Sequence, residues 1–295
     1  VWDDGQPYIN TESHNNVLEY WAVDFPGNEE SHNTLTGIKL DKHAPVTLDN
    51  IDLDTWYNHD LEVILSAEDY DPPGEAEGSG VAETYYRVNG NAVCSLSVDG
   101  NPIISEEGDE NTLEYWSVDI ATNIEFHNMV EGIKIDKTAP AVVSFAINDG
   151  DPYTDDANVT LHIHALDYPS PPVACSKIGY YRIWNDDSEE PDTWTMLSTP
   201  MREWNGTLTW ELGDGEGTKT VHLRVMDMAG NIAPEVTDTI NLDTGPPETT
   251  TSFVNTSWYH DDVTVVLEFV NPEEWGTGSN IFYRVNNGPL LNVLE

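Results

Sequence analysis

Apolar and polar residues alternate in short runs along the chain. From Leu61 to Ala67, Val63, Leu65 and Ala67 fall on one face of an extended segment. From Leu113 to Asp119, Leu113, Tyr115 and Ser117 share one face, and Glu114, Trp116 and Val118 share the other. A diverged copy indicates which face points inward: Val221, Leu223 and Val225 alternate with His222, Arg224 and Met226. This is the period of half-buried strands. No segment sustains a helical period with caps. Gly, Pro, Asn and Asp punctuate the runs as turns. The pattern predicts an all-β chain.

The runs also recur. Asn111–Pro140 reads NTLEYWSVDIATNIEFHNMVEGIKIDKTAP, and Asn16–Pro45 reads NVLEYWAVDFPGNEESHNTLTGIKLDKHAP. Thr218–Pro246 is a third, more diverged copy. Each reads as a strand, an Asp-rich turn, a second strand and an Asp-Lys-Thr-Ala-Pro-like link. The turn residues Asp24, Asp119 and Asp227 stand 95 and 108 residues apart, and Pro45, Pro140 and Pro246 stand 95 and 106 apart. The third copy therefore carries an insertion, placed in the acidic loop Asp186–Asp192. A front half recurs as Trp56–Tyr70, Pro152–Tyr168 and Trp258–Asn271, followed by Tyr85–Val88, Tyr180–Ile183 and Phe282–Val285. Short strands over this period predict immunoglobulin-like β-sandwich domains in tandem, arranged end to end.

Two units are complete, 42–137 and 138–243. Residues 1–41 are only a back half, and 244–295 only a front half; together they make 93 residues, close to the 95-residue period. This predicts that 244–295 is completed by 1–41 of a neighbouring copy, head to tail, by peptide bond or by strand docking.

Charge narrows the partners. There are 54 acidic and 11 basic residues, a net charge of −43. Such a surface repels nucleic acid and anionic membranes and attracts divalent cations, or suits a salty medium. Cys94 and Cys175 lie in different repeats and form no disulfide framework; buried thiols or a bridge between domains or subunits both fit. No apolar run approaches the ~20 residues of a membrane span, so no direct membrane insertion is expected. The chain opens at Val1 without initiator Met or signal pattern and reads as a mature piece or an excerpt. Sequons at Asn158, Asn205 and Asn255 would permit glycosylation if the chain is secreted.

Carboxylates are the first candidate chemistry. In an immunoglobulin-like topology the incoming link, the second-to-third-strand loop and the last hairpin turn lie at one end. For 42–137 this gathers Asp41, Asp69, Asp71 and Asp119; for 138–243, Asp136, Asp167 and Asp227. The split unit would gather Asp243, Glu273 or Glu274, and Asp24 of the neighbouring copy. Carboxylates from separate loops suit a hard cation taking six to eight oxygens at roughly 2.3–2.6 Å, which predicts calcium. The same aspartates also suit turn capping.

Aromatics come second. Trp21 and Trp116 fall on outward faces, and Arg87, Arg182 and Arg284 lie outward on the adjoining strand. Arg87 stacked on Trp116 would be a local cation–π contact. Alternatively the face serves as a lateral surface for another subunit, a glycan or a matrix protein. His162 and His164, two apart, share a face and read either as a solvated pair or as a transition-metal pair. No nucleophile elbow, zinc motif, phosphate loop or dinucleotide fingerprint is present, so no catalytic residue is assigned and the chain reads as a non-enzyme.

One pattern carries a resemblance. Trp56-Tyr57, Gly78-Ser79-Gly80-Val81, Tyr85-Tyr86-Arg87-Val88-Asn89-Gly90, Leu113-Glu114-Tyr115-Trp116-Ser117-Val118-Asp119 and Ile135-Asp136-Lys137-Thr138-Ala139-Pro140 follow in order. The set resembles the immunoglobulin-like repeats of bacterial and archaeal surface proteins, closest in kind to the leptospiral OmpL-type "β-barrel" repeat. The third unit lacks the Gly-Ser-Gly-Val element, and Ala121-Thr122-Asn123 replaces the usual Ala-Gly-Asn seen at Ala229-Gly230-Asn231. The resemblance implies a secreted or cell-surface repeat protein. Three functions follow as expectations: a calcium-stiffened array building a filament, sheath, surface layer or stalk; a surface adhesin; or an accessory region of a secreted enzyme.

Overall fold

The computed structural model describes residues 6–70, 78–168, 174–251, 253, 258–270 and 280–292. The chain divides into two compact units. The first comprises Val1–Thr138 with Tyr168–Ser176 and Met228–Asn231; the second comprises Ala139–Asp167, Lys177–Asp227 and Ile232–Glu295.

The first unit opens with a hairpin, β1 (Ser13–Tyr20) and β2 (Asn33–Leu40), which forms a two-stranded sheet of its own. It continues with β3 (Val46–Leu48), β4 (Trp56–Tyr57), β5 (Leu61–Glu62), β6 (Ser66–Glu68), β7 (Val81–Val88), β8 (Cys94–Ser95), β9 (Ile103–Ile104), β10 (Gly108–Asp119) and β11 (Asn128–Ile135). One five-stranded sheet has the order β4-β11-β10-β7-β8, and the pairs β3-β6 and β5-β9 complete the sandwich. The short β4 runs parallel to β11, while β10 is antiparallel to both β11 and β7. A short leading strand added parallel to the last one is immunoglobulin-like order.

The alternation places the core as expected: Leu61, Val63 and Leu65 pack with Leu113, Tyr115, Ile133 and Ile135. The run over 61–67 is not one unbroken strand, however. The Val63 amide donates to the Pro102 carbonyl at 2.9 Å, and the Ile64 amide to Asn50 Oδ1 at 2.9 Å. The chain changes partner there, from β9 to β3, and the ladder breaks between.

The inward Ser117 is fully buried and needs polar company. Its hydroxyl lies 2.6 Å from that of Thr47 and 2.7 Å from that of Thr84. Glu125 closes the network: it accepts from the Thr47 amide (2.9 Å) and hydroxyl (2.6 Å), the Ser117 amide (2.9 Å) and Asn128 Nδ2 (2.8 Å).

The second unit carries β12 (Ala141–Ile147), β13 (Tyr153–Thr154), β14 (Asn158–Leu166), β15 (Ile178–Asn185), β16 (Thr195–Met201), β17 (Glu203–Glu211), β18 (Gly217–Asp227) and β19 (Val236–Leu242). Sheet β12-β14-β17 faces sheet β13-β19-β18-β15-β16 across a core of Ile147, Leu161, Ile163, Ile178, Leu223 and Ile240. The β15–β16 hairpin is longer than its β7–β8 counterpart, with Tyr181 facing Thr195 where Tyr86 faces Cys94, and so holds part of the insertion. There Arg182 Nη1 contacts Glu190 Oε1 at 3.0 Å, and the guanidinium lies 4.2 Å from the Trp194 ring centroid. Beyond it, β20 (Glu248–Thr251) pairs β21 (Leu267–Val270), and β22 (Phe282–Tyr283) pairs β23 (Leu291–Asn292), each as a two-stranded sheet.

The protein is thus all-β, with immunoglobulin-like sandwiches in tandem. Among the described residues no helix is long and apolar enough to cross a membrane. Cys94 and Cys175 form no disulfide.

Candidate metal centre

Asp41 follows β2, Asp69 follows β6, and Asp119 ends β10. Each sits where a strand gives way to a loop, and the topology brings the three together. Their carboxylates offer oxygens that all lie within 4.8 Å of one another. Asp119 is buried and the other two are half-buried.

Backbone amides set their orientation. The Ser79 amide donates to Asp41 Oδ2 at 2.6 Å, and the Gly80 amide to Asp69 Oδ2 at 2.7 Å. Asn123 gives its amide to Asp119 Oδ1 and its Nδ2 to Asp119 Oδ2, both at 2.7 Å. Gly78 leaves the space for this: a Cβ there would fall 2.6 Å from the Asp69 carboxyl. Burial pushes the Asp41 carboxyl up, but the Ser79 hydroxyl and amide, the His43 amide and Asp119 outweigh it and hold it below the ordinary carboxylate range.

Three carboxylates this close repel one another, and a bound cation would relieve that repulsion. Each carboxylate oxygen has two lone pairs, so the amide donors leave room for a cation. Asp71, the fourth expected ligand, lies outside the described residues. A second acidic group adjoins this one: Glu12, Asp41 and His43, with His43 Nδ1 at 2.9 Å from Glu12 Oε2.

The same hydrogen bonds recur one repeat on. In the first unit, Ser176 donates its amide to Asp136 Oδ2 at 2.6 Å, as Ser79 does to Asp41. Asn231 Nδ2 reaches the Asp136 carbonyl at 2.8 Å, as Asn123 Nδ2 reaches that of Asp41 at 3.3 Å. The Ala229 amide meets Ser176 Oγ at 3.1 Å, as the Ala121 amide meets Ser79 Oγ at 3.0 Å. In the second unit the Lys177 amide donates to Asp167 Oδ2 at 2.7 Å, the counterpart of Gly80 on Asp69. Asp136, Asp167 and Asp227 are all buried, and within the second unit Asp167 and Asp227 bring carboxylate oxygens within 4.8 Å of each other.

This amends the reading of the third repeat. It lacks Gly-Ser-Gly-Val in letters, yet Cys175-Ser176-Lys177-Ile178 makes the same bonds. Lys177 adopts φ +76°, where Gly80 has φ +92°. At the other departure, Thr122 takes φ +72° where Gly230 takes φ +93°. A β-branched residue is strained in that region, at a cost of about 1–2 kcal/mol that glycine avoids. Glycine's greater unfolded-state freedom offsets part of the relief. Thr122→Gly is expected to stabilise the first unit by roughly 0.5–1 kcal/mol, read as a higher urea midpoint.

Asp24 and Asp243 belong to no metal-sized group among the described residues. Asp24 is exposed and caps its own turn, accepting from the Asn28 amide at 2.7 Å and Asn28 Nδ2 at 2.8 Å. The Asn28 side chain and amide hold its carboxyl below the ordinary range. Asp243 accepts the Gly245 amide at 3.2 Å. Glu273 and Glu274 lie outside the described residues.

Sequence reasoning missed a second device on the links. Glu12 accepts the Lys42 amide at 2.6 Å, Glu107 the Lys137 amide at 2.8 Å, and Glu216 the Thr244 amide at 2.9 Å. The signal was available: the glutamate precedes the link residue by 30, 30 and 28 positions. Lys42 Nζ and Lys137 Nζ also bind matching carbonyls, of Asn10 at 2.6 Å and Ser105 at 2.8 Å.

The tryptophans are not bare platforms. Trp21 stacks on His32 with centroids 4.1 Å apart, and Trp116 on His127 at 3.9 Å. Glu19 holds His32 at 2.7 Å and Glu114 holds His127 at 2.6 Å. Arg87 lies 5.9 Å from the Trp116 centroid and 3.4 Å from Glu114. His162 pairs with Asp149 at 3.3 Å and His164 with Glu203 at 2.9 Å; neither joins a metal-sized group among the described residues. Asn158 and Asn205 are exposed, while Asn255 lies outside the described residues.

No family model matches the chain, and no curated protein does. Among solved structures, the FN1–FN3 domains of chicken CNTN1 align over 77% of this chain and 75% of theirs, at 7% identity and a TM-score of 0.37. A likeness of that size says nothing about function. The class rests on the sandwich topology itself: a tandem immunoglobulin-like repeat protein with acidic, hydrogen-bonded links.

Proposed function

We propose that the chain is a structural repeat protein of the cell surface or extracellular space. In this reading calcium stiffens its links, and copies of it continue head to tail into a filament, sheath, surface layer or stalk. The observation that carries it is the repeated link device. Asp41 and Asp136 receive matching serine donors, and Glu12, Glu107 and Glu216 hold matching link amides. Identical tethers in successive repeats suit an array that must hold its links, whereas ligand-binding loops diverge. The resemblance to surface-protein repeats supports the same setting, and the exposed Asn158 and Asn205 suit glycosylation there. An adhesin reading is weaker, because His32 and His127 cover one face of Trp21 and Trp116.

Calcium would bind Asp41, Asp69 and Asp119, supplying the positive charge that three close carboxylates lack. At about 100-fold over its dissociation constant, a ligand of the folded state adds about 2.7 kcal/mol. Thermal melts in millimolar calcium and in chelator are expected to differ by about 5 °C or more for the native chain. The difference should shrink in Asp119→Asn, which leaves the Asp136, Asp167 and Asp227 carboxylates intact. Equal melts of the native chain would exclude calcium from the links.

A further inference from the structure

The sandwich over 138–243 has one long edge that the sandwich over 42–137 lacks. Strand β17 has nine residues, whereas its counterpart β9, which pairs the equivalent strand of the earlier repeat, has two. β17 ends the sheet β12-β14-β17, and among the described residues no strand pairs its far side. An open edge of this length presents a row of backbone donors and acceptors to an incoming strand.

Sheet edges are ordinarily guarded by proline, by lysine, by a bulge or by shortness. The edge of the facing sheet, β16, has two of these guards. Pro200 lies within it, and its register with β15 shifts between Ile178 and Tyr180. β17 has none of them. It contains no Pro, Lys or Arg, and it keeps one unbroken register with β14, from Glu203 opposite Leu166 to Glu211 opposite Asn158. The Glu211 carbonyl already accepts from Asn185 Nδ2 at 3.1 Å, so the backbone left for a partner is 203–210.

The side chains narrow what fits. Glu203, Asn205, Thr207, Thr209 and Glu211 are exposed along the outer face, while Leu208 and Trp210 pack half-buried at the rim of the core. A strand laid alongside would turn polar residues outward and apolar ones inward, over Leu208 and Trp210. The two glutamates stand at the two ends of β17, roughly 27 Å apart at the rise of an extended chain, and each calls for a cation. A second copy cannot supply one. Antiparallel pairing about Thr207 would set Glu203 opposite Glu211 at both ends, and like charges directly opposite are destabilising.

We propose that β17 binds an extended segment of a basic partner protein. The segment adds to the sheet as a fourth strand, alternating polar and apolar residues, with a Lys or Arg beside Glu203 and another beside Glu211.

The test uses the full chain and a dye-labelled nine-residue peptide that alternates Thr and Val and carries Lys at each end, read by fluorescence anisotropy. Saturable binding is expected, at least tenfold tighter than for the same peptide ending in Glu. Proline at the central position keeps the charge of the peptide and removes a ladder donor, and is expected to weaken binding at least tenfold. Glu203→Lys combined with Glu211→Lys should reverse the preference between the two peptide ends. Both positions are exposed, and circular dichroism checks that the variant folds; Glu203→Gln with Glu211→Gln should abolish the preference and serves where the lysine variant does not fold. Equal binding of the proline peptide would reduce the effect to charge attraction and overturn strand addition. No saturable binding, or a Lys preference that survives both double variants, overturns the site. Native dimers that the peptide dissociates would make a second copy the occupant and overturn the basic partner.

Discussion

Glu125→Ala is expected to destabilise the sandwich over 42–137 by about 3 kcal/mol, through donors left unpaired beneath β10. The carboxylate accepts four of them: the Thr47 amide and hydroxyl, the Ser117 amide and Asn128 Nδ2. Thr47 and Ser117 are buried, so water cannot replace the lost acceptor at all of these sites. Each unsatisfied buried donor costs about 1–3 kcal/mol, and the half-exposed Asn128 re-forms its bond with solvent, which brings the sum down to the stated figure. Glu125→Gln keeps the shape and one acceptor oxygen and should lose roughly half as much. Urea unfolding followed by tryptophan fluorescence reads both. A loss below 1 kcal/mol for the alanine variant would mean that the carboxylate merely decorates the turn.

Two equivalent leucines should respond unequally. Leu113 is fully buried, and Leu113→Ala is expected to cost about 3 kcal/mol in lost transfer energy and residual cavity. Leu18 occupies the same place one repeat earlier but is only half-buried in the two-stranded hairpin. Leu18→Ala should cost less, about 1–2 kcal/mol, because the side chain is only partly buried and leaves a smaller cavity behind. The contrast isolates context from chemistry: the residue, strand and register are the same. Equal losses would show that the hairpin face is already covered.

Much of the fold was legible because the repeats read against one another. Val221, Leu223 and Val225 resolved the inward face of Leu113 and Tyr115, and all five are buried. The links at Asp41 and Asp136 stood out by spacing alone. Other features gave no local sign. Ser117 was placed inward, but its neighbours Thr47 and Thr84 are 70 and 33 positions away. The break in 61–67 came from Pro102 and Asn50 bidding for the same backbone. Lys177 concealed a conserved geometry behind a changed letter, since one residue in a left-handed conformation can be tolerated where its amide bond to Asp167 is retained.

From the sequence alone came the period, the alternation and the positions of the link aspartates. These are matters of neighbouring residues and of fixed spacing, because a strand turns its side chains over every second position wherever it lies. Tertiary structure alone decided that Asp41, Asp69 and Asp119 share a site, and that the amides of Ser79 and Gly80 hold the first two while Asn123 holds the third. Those depend on which distant segments meet, and that is settled by the packing of two sheets rather than by any run of adjacent residues.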